Sequence, residues 1–324
     1  MTAKQKKIIS YSLKIIIVVL AGYFIYQKLS NHQNLSQFNQ LIKDLSPVKV
    51  YSTITLVFLL MLANWLIESA KWKFLISKVE RISYYKAVES VFCGLTWAIF
   101  TPNRIGEYGG RVFFLSPRRR IQGAVAMSVG QIAQMVITNV VGAIALLWFI
   151  YNFKPLDQWL FIAICFLVMG FCFFFIVFYF NIRWIEKSLN SINFLKKFKR
   201  FFSVLNRYHH KELTKVMLYS IARFSVFTIQ YIVIIYLLLP EIHFYQSALM
   251  VFILFFIQSA LPSLDLLDVG VRSLTATYFF GFITTHDVAI MAAIALIWFV
   301  NLIIPAIIGS YFVFKLKFFD SRNN

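Results

Sequence analysis

The stretch TPNRIGEYGGR, residues 101–111, governs the reading of the whole chain. Pro102, Asn103, Gly106, Gly109 and Gly110 break a helix, while Arg104, Glu107 and Arg111 carry charge. Apolar runs flank the stretch on both sides. Irregular, ionised backbone at membrane depth is tolerated only where protein or a water-filled cavity surrounds it. The stretch therefore reads as a site, and the remainder as its housing.

Working outward, the preceding apolar run, residues 87–100, is marginal for a span of about 20 residues, and the following run, 112–115, is far too short. Basic passages lie beyond both: residues 71–86 on one side, and Arg118, Arg119 and Arg120 on the other. The positive-inside bias puts both on the cytoplasmic face. Residues 87–116 then enter the membrane and return, as a re-entrant hairpin with TPNRIGE at its tip.

Composition agrees with a membrane setting. Of 324 residues, 60% are hydrophobic and 14% charged, and the mean hydropathy is +0.73. These values point to an all-α polytopic membrane protein. The net charge of +19 does not point to nucleic acid, because Lys and Arg are confined to a few loops with no nucleic-acid motif beside them. Such loops attract anionic lipid surfaces instead. Cys93, Cys165 and Cys172 sit in apolar segments without metal-type spacing and read as small hydrophobes. His209 and His210 lack ligand partners at suitable spacing. No serine-nucleophile motif, phosphate loop or dinucleotide fingerprint is present, so neither metal nor cofactor is expected and the chain is not read as an enzyme.

Hydropathy predicts six full helices, at about 8–26, 50–69, 121–150, 159–179, 216–239 and 288–314. The first has the look of a signal sequence without a small-residue cleavage site, and reads as an uncleaved span. Gln131, Gln134, Thr138, Asn139 and Gly142 form a polar, small-residue stripe on the third. A kink is expected at Pro305. Glu68 with Lys71, and Trp65 with Trp72, read as interfacial anchors near the end of the second helix. Residues 182–215 alternate Lys or Arg with Phe or Leu, as an amphipathic linker on the cytoplasmic face does.

A second break, LPSLDLLDVGVR at residues 261–272, lies within a second hairpin at 247–283. Each half thus runs helix, helix, broken hairpin, helix: residues 1–181 first, then 216–324 together with the helix at 159–179. The basic loops give the halves opposite orientation, with both termini cytoplasmic. Inverted repeats whose broken helices meet near the midplane are the architecture of secondary transporters.

The two tips match in chemistry. Pro102 precedes Gly106, Glu107 and Arg111; Pro262 precedes Asp268, Gly270 and Arg272, and each acid lies four residues before its arginine. Half-helix N-termini together with Arg104, Arg111, Arg223 and Arg272 suit a phosphate, which a guanidinium grips in two places while staying charged. Glu107 and Asp268 balance that charge or take up a proton. The bland reading of each acid and arginine pair is that it holds its own hairpin together.

At TPNRIGEYGGRVFFLSPRRR the chain resembles the flippase-like membrane domain family named for the transmembrane region of lysylphosphatidylglycerol synthase. Pro102, Gly106, Glu107 and Arg111 match the first family motif, and Pro262, Gly270 and Arg272 the second. Where the family often has Glu after the second arginine, this chain has Ser273, with Asp268 as the candidate substitute. The resemblance implies movement of a phospholipid or polyprenyl-phosphate lipid between leaflets of a bacterial inner membrane, without lipid synthesis. The competing expectation is a scaffold subunit of an envelope lipid or glycan pathway, recruited through the basic linker; a third is an intramembrane transferase acting on a lipid phosphate.

Overall fold

Helix starts in this chain are marked by local chemistry. The Ser46 hydroxyl accepts the Lys49 amide, and Pro47 occupies the first turn, where its missing N–H costs nothing. The Asp157 carboxylate likewise accepts the amide of Trp159. His209 and Glu212 form a reciprocal capping box.

The structure, a computed structural model, describes residues 32–99, 101, 104–185, 199–261 and 268–315. All regular elements among them are helical. In chain order they are α1 (His32–Lys43), α2 (Pro47–Ile76), α3 (Tyr84–Ile99), α4 (Ile105–Val112), α5 (Arg120–Phe153), α6 (Gln158–Phe180), α7 (His210–Leu238), α8 (Phe244–Ala260), α9 (Asp268–Phe280), α10 (Asp287–Trp298) and α11 (Ile304–Lys315). A short helical turn, Lys199–Phe202, leads through a 3-10 turn into α7.

Five segments are long and apolar enough to cross a bilayer: Pro47–Ile76, Pro117–Phe153, Gln158–Phe180, His210–Leu238 and Asp287–Val313. The protein is therefore a multi-pass, all-helical membrane protein. These are the second to sixth of the expected spans; the first, at 8–26, lies outside the described residues, as do 186–198 of the basic linker. The helix α6 presents Phe166, Leu167 and Phe173 almost fully outward, at 65%, 70% and 69% exposure. Such a row is stable against acyl chains and unfavourable against water.

Two boundaries differ from expectation with consequences. The helix α2 does not stop near Ser69 but runs seven residues further to Ile76, so Lys71 and Trp72 are buried in the bundle rather than anchored at an interface. The helix α7 begins at His210, inside the stretch read as linker, because the capping box starts it there. The break expected at Pro305 takes the form of a π turn, Phe299–Ile303, immediately before it. Pro305 cannot donate to the Asn301 carbonyl, and its ring crowds that carbonyl.

The basic segments gather at one end of the bundle. There Tyr208 Oη donates to Leu75 O at 2.8 Å, Arg119 bonds Val79 O, Lys78 Nζ pairs with Glu212 at 2.8 Å, and Ser116 Oγ donates to Glu80 at 2.7 Å. Burial pushes the Tyr208 phenol pKa upward. The opposite end is aromatic: Phe149 packs edge-on to Phe282, and Lys154 lies 4.8 Å from the Phe282 ring.

The helices α3 and α4 form a hairpin whose outer ends both reach the basic end. At about 1.5 Å per residue the arms measure roughly 24 and 12 Å, short of the roughly 30 Å hydrocarbon core. Their backbones touch through glycine: a Cβ on Gly110 would sit 2.5 Å from Gly94 Cα, and one on Gly106 would collide with the Trp97 carbonyl. The helices α8 and α9 form a second hairpin, whose outer ends lie at the aromatic end.

Each hairpin is also gripped by a glycine from a distant helix. Gly142 of α5 abuts Phe252 and Phe256 of α8, and Gly309 of α11 abuts Phe92 of α3. Close approach of this kind is what small residues supply in membrane helix packing.

Gly110→Ala is expected to lower stability by about 1–3 kcal/mol through overpacking. Gly170→Ala, where nothing lies within 4 Å of an added Cβ, is expected to be neutral or slightly stabilising. Thermal unfolding of both variants in detergent checks the contrast; equal midpoints would contradict the close hairpin packing.

Candidate functional site

Asn64, Glu68, Lys71 and Trp72 lie on one face of α2, and that face turns into the bundle. Glu68, only 1% exposed, is the hub. Its Oε1 accepts from Arg111 Nη1 at 2.6 Å. Its Oε2 forms an ion pair with Lys71 Nζ at 2.8 Å and accepts from Arg223 Nη1. Arg223 Nε donates further to Asn64 Oδ1 at 3.1 Å.

The first hairpin supplies the second carboxylate. Arg111 Nη2 donates to Glu107 Oε1, one helical turn earlier on α4. Arg104 Nε donates to Glu107 Oε2 at 3.0 Å. Arg104 adopts a left-handed conformation, φ 56°, as the residue that turns the chain into α4. That geometry costs a non-glycine residue about 1–2 kcal/mol, and the ion pair to Glu107 offsets part of it. The Thr101 hydroxyl completes the turn by accepting the Gly106 amide at 2.7 Å.

Among the described residues the cluster sets Lys71, Arg104, Arg111 and Arg223 against Glu68 and Glu107, a surplus of two positive charges. Removing a single ion from water costs several kcal/mol even after relaxation, whereas one pair at 4 Å gains about 4 kcal/mol at an effective dielectric of 20. An isolated pair would barely balance. Here each carboxylate serves more than one cation, so one desolvation penalty is set against several attractions. The arginines also lie against indole faces, Arg111 5.9 Å from Trp72 and Arg223 5.1 Å from Trp65, each such contact stabilising by about 0.5–2 kcal/mol.

A cavity of about 100 Å³ opens beside the cluster, lined by Trp65, Arg104, Arg223, Arg272 and Asn301 among others. It draws on α2, the first hairpin, α7, the second hairpin and the π turn. Among the described residues, the buried Trp65 indole N–H and the Asn301 side-chain carbonyl have no hydrogen-bond partner. Such a wall offers guanidinium and N–H donors together with one acceptor. It suits an oxyanion or an anionic headgroup carrying a donor.

Of the residues singled out from the sequence, Glu107, Arg111 and Arg223 join one network through Glu68, and Arg104 and Arg272 share the cavity wall. Gly106 and Gly270, read as hairpin-breaking, lie within α4 and α9 rather than at a break; Gly106 packs closely on the Trp97 carbonyl, and Gly270 is buried. Pro102, Pro262 and the side chain of Asp268 lie outside the described residues. Ser273, which stands where the family often has Glu, is buried on α9. The polar stripe of α5 faces the second hairpin, where Ser259 Oγ donates to Asn139 Oδ1 at 2.9 Å.

Glu68, Lys71 and Trp72, expected from sequence at a membrane interface, and Asn64, which that reading leaves out, all lie buried on one face of α2. Their spacing of four, seven and eight residues from Asn64 was the available signal. The basic residues just beyond made the segment look like a loop.

Glu68→Ala is expected to destabilise the fold by about 3–5 kcal/mol, because three buried cations lose their shared acceptor. Glu107→Ala should cost less, since Arg111 keeps Glu68. Chemical unfolding in detergent orders the two; an equal or reversed order would remove Glu68 from the centre of the network.

No curated protein is similar enough to the chain to count as a match. A family model, described as the lysylphosphatidylglycerol synthase TM region, matches residues 11–309. With that match running over most of its 324 residues, the chain belongs to the family of lysylphosphatidylglycerol synthase transmembrane regions.

Proposed function

We propose that the protein is a lipid flippase, moving an anionic, aminoacylated or polyprenyl-linked lipid between leaflets by alternating access. The observation that carries this reading is the surplus of positive charge beside a cavity walled by both hairpins, with Arg104 from the first and Arg272 from the second. A phosphate at that wall offsets the surplus, and its departure restores the repulsion. This is how a site can hold a headgroup and still release it. In this reading the chain makes and breaks no covalent bond and needs no cofactor.

The hairpins are re-entrant in this account, and the two halves form an inverted repeat. Support comes from where the hairpins are rooted, one at the basic end and one at the aromatic end of the bundle. It comes also from the exchanged glycine contacts, in which α5 holds the second hairpin and α11 the first. Long helices α2 and α7, each leading into a hairpin, run antiparallel with Gln230 Nε2 bonded to Val57 O and Arg223 to Asn64. In this reading the basic end is cytoplasmic, as the positive-inside bias favours, and the protein belongs to a bacterial inner membrane with both termini inside.

Reconstituted protein is expected to move labelled anionic lipid across liposome leaflets, and Glu107→Gln or Arg111→Ala to abolish movement while the variants still reconstitute as folded monodisperse protein. Unchanged transport in both variants would overturn the site. Single cysteines at Ser116 and Thr285 should label from opposite faces; labelling of both from one face would overturn the inverted arrangement.

A further inference from the structure

A second cavity lies away from the charged cluster and shares none of its lining residues with the first. It encloses about 490 Å³ and is lined by Lys73, Phe74, Ser77, Arg81, Tyr84 and Tyr219, with Ala70 and Ile82 on its floor. Residues 70, 73, 74 and 77 follow one another around the outward face of α2, the face opposite Glu68. The loop to α3 brings Arg81 and Tyr84, and α7 brings Tyr219.

Two cations, Lys73 and Arg81, line the cavity, and a third packs on one of its aromatic walls, with Lys215 Nζ 4.7 Å from the Phe74 ring centroid. None of the three forms an ion pair with a described carboxylate. The aromatic side is fixed in place: Tyr84 Oη donates to Leu66 O at 3.0 Å, and Phe74 packs 6.4 Å from Tyr219. Below the cations, Leu66 and Leu218 are 43% and 60% exposed, an apolar surface continuous with the membrane-facing side of α2 and α7. Cations above, aromatic walls between and aliphatic surface beneath match the chemistry of a phospholipid from headgroup to acyl chain. A soluble phosphate would use the cations alone and leave the apolar part uncovered.

We propose that this cavity is a binding site for one anionic phospholipid of the leaflet at the basic end, with its phosphate on Lys73 and Arg81 and its acyl chains along Leu66 and Leu218. The site is separate from the transport cavity. It ties the loop between α2 and α3 to α7, and so holds the root of the first hairpin against the second half.

The test uses the full chain in nanodiscs, with native mass spectrometry counting lipids retained after graded delipidation. Wild-type protein is expected to keep one phosphatidylglycerol more tightly than any phosphatidylcholine. The doubly substituted K73A/R81A protein is expected to lose that lipid with at least tenfold weaker retention. Lys49→Ala, at the far end of α2, should leave it in place. Thermal unfolding of each variant shows that the fold is kept, since Lys73 and Arg81 are exposed. Equal retention of phosphatidylglycerol by K73A/R81A and wild type would overturn the proposal. So would its displacement by millimolar inorganic phosphate as readily as by excess phosphatidylglycerol, which would make the cavity a soluble-anion site. Loss of leaflet transport by Glu107→Gln with this lipid retained would leave the proposal standing, so failure of the transport reading and failure of this one are distinguishable.

Discussion

The structure turns on one buried carboxylate. Glu68 accepts from Arg111 of the first hairpin and Arg223 of α7, and forms an ion pair with Lys71 of its own helix. Burying those cations in a hydrocarbon-bounded bundle without an anion to share would cost several kcal/mol each, and in membrane interiors such ionised groups are tolerated chiefly where function needs them. Because the acceptor is shared, the hairpin, α2 and α7 cannot move independently without rearranging ion pairs. A shift of any one of them changes which cations are compensated, which is a physical basis for two alternative arrangements of the bundle.

The apolar packing is built to let that network form. Gly94, Gly106 and Gly110 bring the arms of the first hairpin into backbone contact, which sets Glu107 and Arg111 at the height of Glu68. Gly142 and Gly309 then fasten each hairpin to a helix from the far side of the chain. Close approach and charge burial therefore depend on each other: bulk at the glycines would lift Arg111 away from Glu68, and loss of Glu68 would leave the approach holding unpaired cations together.

Much of this was legible in the residues. Charge and glycine in TPNRIGEYGGR marked the hairpin, hydropathy marked the five described spans, and the spacing of Glu107 and Arg111 foretold their pairing. What stayed hidden was long-range. Glu68 lies 43 residues from Arg111 and 155 from Arg223, so no local periodicity links them. The helix α2 also outran its apolar segment, because Lys71 is paired with Glu68 one turn earlier and Trp72 lies against Arg111 of the first hairpin, neither of which hydropathy registers. Hydropathy measures the preference of a residue for lipid and is blind to a cation buried against protein.

The central claim is that the wall formed by Arg104, Arg223 and Arg272 holds the headgroup of a lipid in transit. An experimental structure in nanodiscs rich in anionic phospholipid tests it most directly. The account predicts phosphate density within hydrogen-bonding distance of at least two of these guanidiniums, with acyl chains leading out between the hairpins. A cavity that stays closed and free of lipid, with the Glu68 network unchanged, would contradict it.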